Sequence, residues 1–232
     1  MSLPQKCIIA QNRYGLYCVP LRSKERPASK AVIEGRVWEP DTISLICRFA
    51  ESGDVIHAGT FFGDFLPALS RALIPFAKVW AFEPNSENYQ SAAITCRLNE
   101  LTNVELHSCG LSKDSYNQTL KIGQDGVWMG GGSQILKRAP KPGEETENIA
   151  LVTIDSVVPP YRRVSVLQLD VEGHELAALA GGLATVLRWR PLIILETVPK
   201  DWVEENLLPV GYRAVGQCHG NSVFASSDVK IA

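Results

Sequence analysis

No C-x-x-C pair occurs in the chain, and its six cysteines (Cys7, Cys18, Cys47, Cys96, Cys109 and Cys218) are scattered, mostly inside apolar runs. That pattern favours buried free thiols over a zinc site or a disulfide frame. A surplus of one charge is also lacking: 23 Lys and Arg face 25 Asp and Glu, a formal net charge of -2. General affinity for nucleic acid needs excess cations that displace counterions, so a small-molecule substrate is expected instead. There is no secretory apolar region and no apolar run long enough to cross a bilayer, which points to a cytoplasmic protein without membrane contact. Gly130-Gly131-Gly132-Ser133 lacks a following Gly-Lys-Ser/Thr and a strong strand before it, which argues against a phosphate loop and for a flexible lid with Trp128 and Met129. What remains is 232 residues at 45% hydrophobic content, enough for one buried core with a small appendage and too little for a second catalytic unit.

The chain is organised around Val55-Ile56-His57-Ala58-Gly59-Thr60-Phe61-Phe62-Gly63-Asp64. A short apolar run broken by two glycines, with a helical pattern directly after, reads as strand, tight turn and helix. The glycines let the backbone bend and approach a ligand, and the new helix turns unpaired N–H groups to the same place. Val79-Trp80-Ala81-Phe82-Glu83-Pro84 is a second apolar run, and it ends in an acid where nucleoside-binding α/β folds place the carboxylate that accepts ribose hydroxyls. Together the two stretches read as a cradle for an adenosine-containing cofactor.

Residues 1–38 read as an N-terminal appendage of small strands and turns, with a charged link over 22–30. Asp41 or Thr42 is the expected cap of a helix carrying Ile43, Ile46, Cys47 and Phe49, and Asn85 or Ser86 caps a second through Tyr89, Ala92 and Cys96. Residues 104–107, 149–154, 164–169 and 192–196 are further apolar strand candidates. Leu176, Leu179, Leu183 and Leu187 mark a helix face ended by Pro191, and residues 212–216 and 222–225 suit a terminal hairpin. Residues 113–148 are long and weakly patterned, as lids or disordered loops are. Apolar strands alternating with helices predict an α/β fold with a doubly wound, largely parallel sheet. Its strand ends would gather Gly59, Glu83, Cys109, Asp170 and Glu196.

In order and spacing these stretches, with Gly110-Leu111-Ser112, Thr153-Ile154-Asp155 and Leu169-Asp170-Val171-Glu172-Gly173-His174-Glu175, resemble the FkbM family of S-adenosylmethionine-dependent methyltransferases. The resemblance implies a Rossmann-like sheet of seven strands, mostly parallel with an antiparallel last strand, helices on both faces, and a methyltransferase domain over 39–232 with an insertion at about 113–148. It also implies O-methylation of a sugar or another small hydroxylated metabolite. By this likeness His57, Gly59, Thr60 and Gly63 would face the amino acid moiety of the cofactor, Glu83 with Pro84 the ribose, Cys109 and Gly110 the adenine, and Asp170 the reacting end. Two residues depart from the family pattern: His57 stands where aspartate is usual, and Phe61 where asparagine is usual. His57 suits the contact only as a neutral acceptor, because a cation would repel the ammonium and the sulfonium.

Each candidate has a plainer reading. The glycines suit any tight turn, Asp170 can cap the helix after it, and Glu172 and Glu175 fit a helix first turn for its dipole alone. His174 is a candidate base, since a hydroxyl keeps its proton until it attacks, but a solvated helix-start histidine reads the same way. His107 and His219 are weaker candidates, and no metal site is expected. Pro159-Pro160-Tyr161 follows Val158 where amino-methylating enzymes carry a polar residue, so it reads as a loop. A nicotinamide-dependent oxidoreductase is the second reading, weakened because Gly59 and Gly63 lack the close spacing of G-x-G-x-x-G. A cofactor-binding scaffold without catalysis is the third, motivated by His57 and Phe61.

Overall fold

The computed structural model describes residues 6–227. The chain opens with an antiparallel hairpin of β1 (Cys7–Asn12) and β2 (Gly15–Pro20). A helix follows, α1 (Pro27–Ile33), where the sequence reading has a charged link and a small strand. Pro27 in its first turn is the overlooked sign, because a proline there gives up an N–H that has no helical partner anyway. The next helix, α2 (Pro40–Ala50), takes in both expected caps, Asp41 and Thr42. It begins instead after Glu39, which adopts a left-handed conformation, and the Thr42 hydroxyl donates back to the Glu39 carboxylate at 2.9 Å.

The core follows as β3 (Asp54–Ala58), α3 (Leu66–Ala72), β4 (Val79–Phe82), α4 (Ser86–Leu98) and β5 (Val104–His107). Asn85 caps α4, its Oδ1 accepting from the Glu87 and Asn88 amides at 3.0 and 3.1 Å. Residues 113–148 are not the loop their weak pattern suggests. They supply most of a second sheet, built from β6 (Gly110–Leu111), β7 (Tyr116–Gln124), β8 (Val127–Trp128), β9 (Gln134–Ile135) and β10 (Glu144–Val152) in the order β6-β10-β7-β8 with β9 also on β7. After the short α5 (Ile154–Val157) come β11 (Val164–Leu169), α6 (Glu175–Ala180), α7 (Leu183–Trp189), β12 (Leu192–Leu195), α8 (Lys200–Asn206), β13 (Tyr212–Cys218) and β14 (Asn221–Ser226). The leucine face expected across α6 and α7 is cut at Gly181-Gly182, where a side chain on Gly181 would collide with the Ser112 carbonyl. Leu179 is buried, but Leu176 and Leu187 face solvent.

The main sheet has seven strands in the order β13-β14-β12-β11-β3-β4-β5, all parallel except β14, which runs against both neighbours. Both faces are covered. Ile56, Ala58, Phe82, Leu167 and Leu169 meet Leu179 and Val186 on one side, while Val55, Val79, Ala81 and Val166 meet Ile43, Ile46, Leu66 and Leu69 on the other. Each such Val, Leu, Ile or Phe side chain removed from water contributes roughly 1.5–3 kcal/mol. From β3 the chain winds outward through β4 and β5, then returns to β11 on the other side. The crevice of this topology therefore lies beyond the carboxyl ends of β3 and β11.

Candidate active site

At that crevice the backbones of two strands touch. The Asp170 amide donates to the Ala58 carbonyl at 3.1 Å, and any side chain on Gly59, at φ +86°, would strike the Asp170 carbonyl. Glycine is required there by contact as well as by backbone conformation. The Gly59 and Thr60 amides both donate to the Phe82 carbonyl, at 3.1 and 3.2 Å, which ties the turn to the end of β4. Next along β4 is Glu83, 4% exposed, whose carboxylate accepts from the Phe61 amide at 2.7 Å and the Asn85 amide at 2.9 Å. The bend and the acid therefore meet directly. Burial raises the Glu83 carboxyl to about 8, against the pull of these two donors.

A cleft opens beside this junction, with about 470 Å³ between its walls, part of it open to solvent. Gly59, Glu83, Pro84, Cys109, Gly110, Asp170 and His174 all lie on its wall. Its apolar lining includes Ala58, Phe82, Leu111, Leu120 and Ile135, the last two from the second sheet. The Gly130–Gly132 turn forms a roof: Gly131 lines the cleft and sits against the Phe61 ring. Burial raises the Cys109 thiol to about 11, so it is a neutral wall group.

Three predicted residues do not line the cleft. Thr60 and Gly63 are framework of the turn, the Gly63 amide donating to the Thr60 carbonyl at 2.8 Å. His57 is buried with its ring stacked on Phe65 and its Nδ1 bonded to Gln168 Oε1. The amide oxygen can only accept, so Nδ1 carries the proton and Nε2, which has no partner among the described residues, is a bare acceptor. Burial lowers this histidine to about 4, hence it is neutral.

The stretch from Asp170 to Glu175 is a folded loop. Glu172 at φ +52° and Gly173 at φ +85° turn it back, so that the Val171 amide donates to the buried Glu175 carboxylate at 3.2 Å. Glu175 thus holds the loop, and Asp170 and Glu172 reach the cleft. One carboxylate oxygen each of Asp170, Glu172 and Glu196 lies within 4.8 Å of the others, a set able to hold a cation. Burial first and then Glu196 raise Asp170 well above the ordinary carboxylate range. Glu196 follows β12 directly and joins this cluster, as the convergence of strand ends predicts. His174 is not the solvated residue of the plainer reading: it is 7% exposed, lowered by burial, with Nε2 3.3 Å from Ser112 Oγ. His107 instead stacks on Phe82 and Trp80, and His219 sits between β13 and β14, where it accepts from the Asp41 amide at 3.3 Å. Pro159-Pro160-Tyr161 precedes β11, at the sheet end away from the cleft.

This sheet order, with a glycine turn and an acid at successive strand ends, defines the class of S-adenosylmethionine-dependent methyltransferase folds. The family model described as methyltransferase FkbM domain matches residues 57–206. The chain belongs to the FkbM methyltransferase family, whose cofactor is S-adenosylmethionine, and the nicotinamide reading falls away. Among solved structures it is similar to methyltransferase FkbM from Methylobacillus flagellatus KT, at TM-score 0.53 and 15% identity over 75% of this chain and 43% of that one. It is also similar to the Pyrococcus abyssi tRNA (uracil-54, C5)-methyltransferase bound to S-adenosyl-L-homocysteine, at TM-score 0.50 and 11% identity over 95% of this chain and 44% of that one. The chain thus spans under half the length of either protein, and at these identities the likeness is one of fold. No curated protein matches it.

The cleft suits the cofactor. A buried carboxylate at the β4 end fits ribose hydroxyls, an acid cluster fits an ammonium, and the apolar walls with glycine at 110 and 131 fit a flat base.

Proposed function

We propose that the protein transfers a methyl group to a hydroxyl of a small metabolite. The observation that carries this reading is the convergence of Glu83, Asp170, Glu172 and His174 on one cleft. When bound, S-adenosylmethionine supplies a methyl group activated on a sulfonium. Glu83 accepts the ribose hydroxyls, and Asp170 and Glu172 hold the ammonium end. Cys109, Gly110 and Leu111 flank the adenine. Carboxylates packed on the sulfonium itself would favour the ground state, since its charge disappears as the methyl leaves. Catalysis by this chain therefore rests on alignment, on water exclusion by the Gly130–Gly132 roof, and on one base.

His174 is that base. It is neutral, it lines the cleft, and Ser112 fixes its ring. We assign residues 6–38 and 113–148 to the acceptor pocket, because the Gly130–Gly132 turn packs on Phe61, which clusters with Tyr17 and Val32 of the appendage.

Calorimetry with adenosylhomocysteine tests the cofactor half of the reading: Glu83→Ala should weaken binding at least tenfold, and unchanged affinity would refute it. Stabilisation of the chain by adenosylhomocysteine and not by NAD follows from the same assignment. For the chemistry, His174→Asn should lower turnover of a hydroxylated acceptor by ~10²-fold or more while cofactor affinity holds. A scaffold without catalysis would instead turn over no acceptor at all.

A further inference from the structure

We propose, on the reading of His174 as the base, that the acceptor is a small hydroxy acid whose carboxylate is held by Lys137 in a second cavity. This cavity lies beyond the carboxyl ends of β11 and β12, with about 570 Å³ between its walls, part of it open to solvent. Lys137, Leu176, Ala177 and Pro199 line it, and its wall and that of the cleft share His174.

Two concavities that meet at one ring suit a transfer between two ligands. The cleft carries the groups that fit the cofactor, which leaves the second cavity for the molecule that gives up its proton to the same imidazole. At that ring the hydroxyl oxygen takes the methyl group, the O–C bond forming as the S–C bond breaks. With Nε2 engaged by Ser112 Oγ at 3.3 Å, Nδ1 is the ring nitrogen left to accept the hydroxyl proton.

Charge decides what the rest of the acceptor is. Lys137 is exposed and makes no ion pair among the described residues. Its ammonium adds to burial in lowering His174, so the two stand close enough to act on one small molecule. Glu175, on the same wall, is 1% exposed and its carboxylate accepts from the Val171 amide at 3.2 Å, so it does not meet a ligand. One exposed cation matches a single carboxylate, whereas a phosphate dianion would leave a charge unmatched beside Asp170, Glu172 and Glu196. Leu176, 50% exposed, forms with Ala177 and Pro199 an apolar surface for the body of the molecule. Lys137 belongs to the segment already assigned to the acceptor pocket, and the cavity extends that pocket to the starts of α6 and α8.

Calorimetry with 4-hydroxybenzoate and with its uncharged counterpart 4-hydroxybenzamide, on the full chain saturated with adenosylhomocysteine, tests this. The acid should bind at least tenfold more tightly than the amide, and Lys137→Met should erase that difference while leaving the affinity for the amide as it is. Leu176→Trp, which fills the cavity from an exposed position, should weaken both probes at least tenfold. Both variants should bind adenosylhomocysteine as the parent chain does, which controls for folding. A parent chain that does not bind adenosylhomocysteine would overturn the cofactor assignments and this proposal with them. With that ligand bound, equal affinity for acid and amide, a preference that survives Lys137→Met, or binding of neither probe overturns this proposal alone.

Discussion

Glu83 ties the glycine turn to the start of α4 through one side chain, and as the proposed partner of the ribose its titration has two opposite consequences. In the unfolded chain the carboxyl ionises near 4.5, and in the folded one near 8. Unfolding between those values releases a proton, so through this group stability falls as pH rises from 4.5 to 8. Ribose hydroxyls donate best to the ionised form, so affinity for adenosylhomocysteine should rise with pH and level off above about 8. Glu83→Gln should flatten that profile in calorimetry; a profile equally steep in the variant would assign it elsewhere. His57 works in the other direction, as its folded value near 4 lies below the unfolded 6.5. The stability it supplies is complete above 6.5 and lost as pH falls through 4. From pH 7 to pH 5 that loss is about 2 kcal/mol, and urea unfolding should show His57→Phe losing less over the same interval than the parent chain does.

At the scale of elements, legibility followed the number of apolar residues that each element buries. The strands β3, β4, β11 and β12 are buried at every position, and such runs are plain in a sequence. The second sheet buries Leu111, Leu120, Trp128, Ile149 and Leu151, with Ile122 and Ile135 in part, and several of its strands are two residues long. Alternation over so few apolar side chains does not rise above the background of a polar loop. The break between α6 and α7 was hidden for another reason, as its cause is the Ser112 backbone, about 70 residues away in sequence. Gly181→Ala should therefore cost more than the ~1 kcal/mol gain usual when a helical glycine is replaced, with the sign reversed to a loss. A thermal midpoint at or above that of the parent chain would contradict the collision. In the cleft, Gly59, Glu83 and Asp170 were legible because strand ends in this topology converge. Glu196, just past the end of β12, was legible there for the same reason, whereas the turning of His57 away onto Phe65 is a product of packing.

Across the whole molecule, the appendage and the second sheet are fastened to the core on the side that roofs the cleft. Asn99 on the end of α4 bonds both ways with the Leu16 backbone, at 3.0 and 2.6 Å, and Thr95 accepts from the Cys18 amide at 3.1 Å while donating to the Phe62 carbonyl at 2.8 Å. The Arg22 guanidinium lies 4.0 Å from the centre of the Trp128 ring and pairs with Glu145 at 3.1 Å, so the appendage also grips the second sheet. Beneath this grip Ser23 Oγ, Asn88 Oδ1 and Trp128 Nε1 are buried without partners among the described residues. Groups that regain water when a segment lifts lower the cost of lifting it, so the Gly130–Gly132 roof should open more readily than its burial alone suggests. A cofactor seated beneath it adds contacts that exist only in the closed form, and binding should suppress the opening. Hydrogen exchange at the Gly130–Gly132 amides should accordingly slow at least tenfold with saturating adenosylhomocysteine, while the amides of α8, away from the cleft, keep their rates. Equal rates at the roof with and without the ligand would mean that the glycine turn does not cover the bound cofactor, and the acceptor would then have to enter past it.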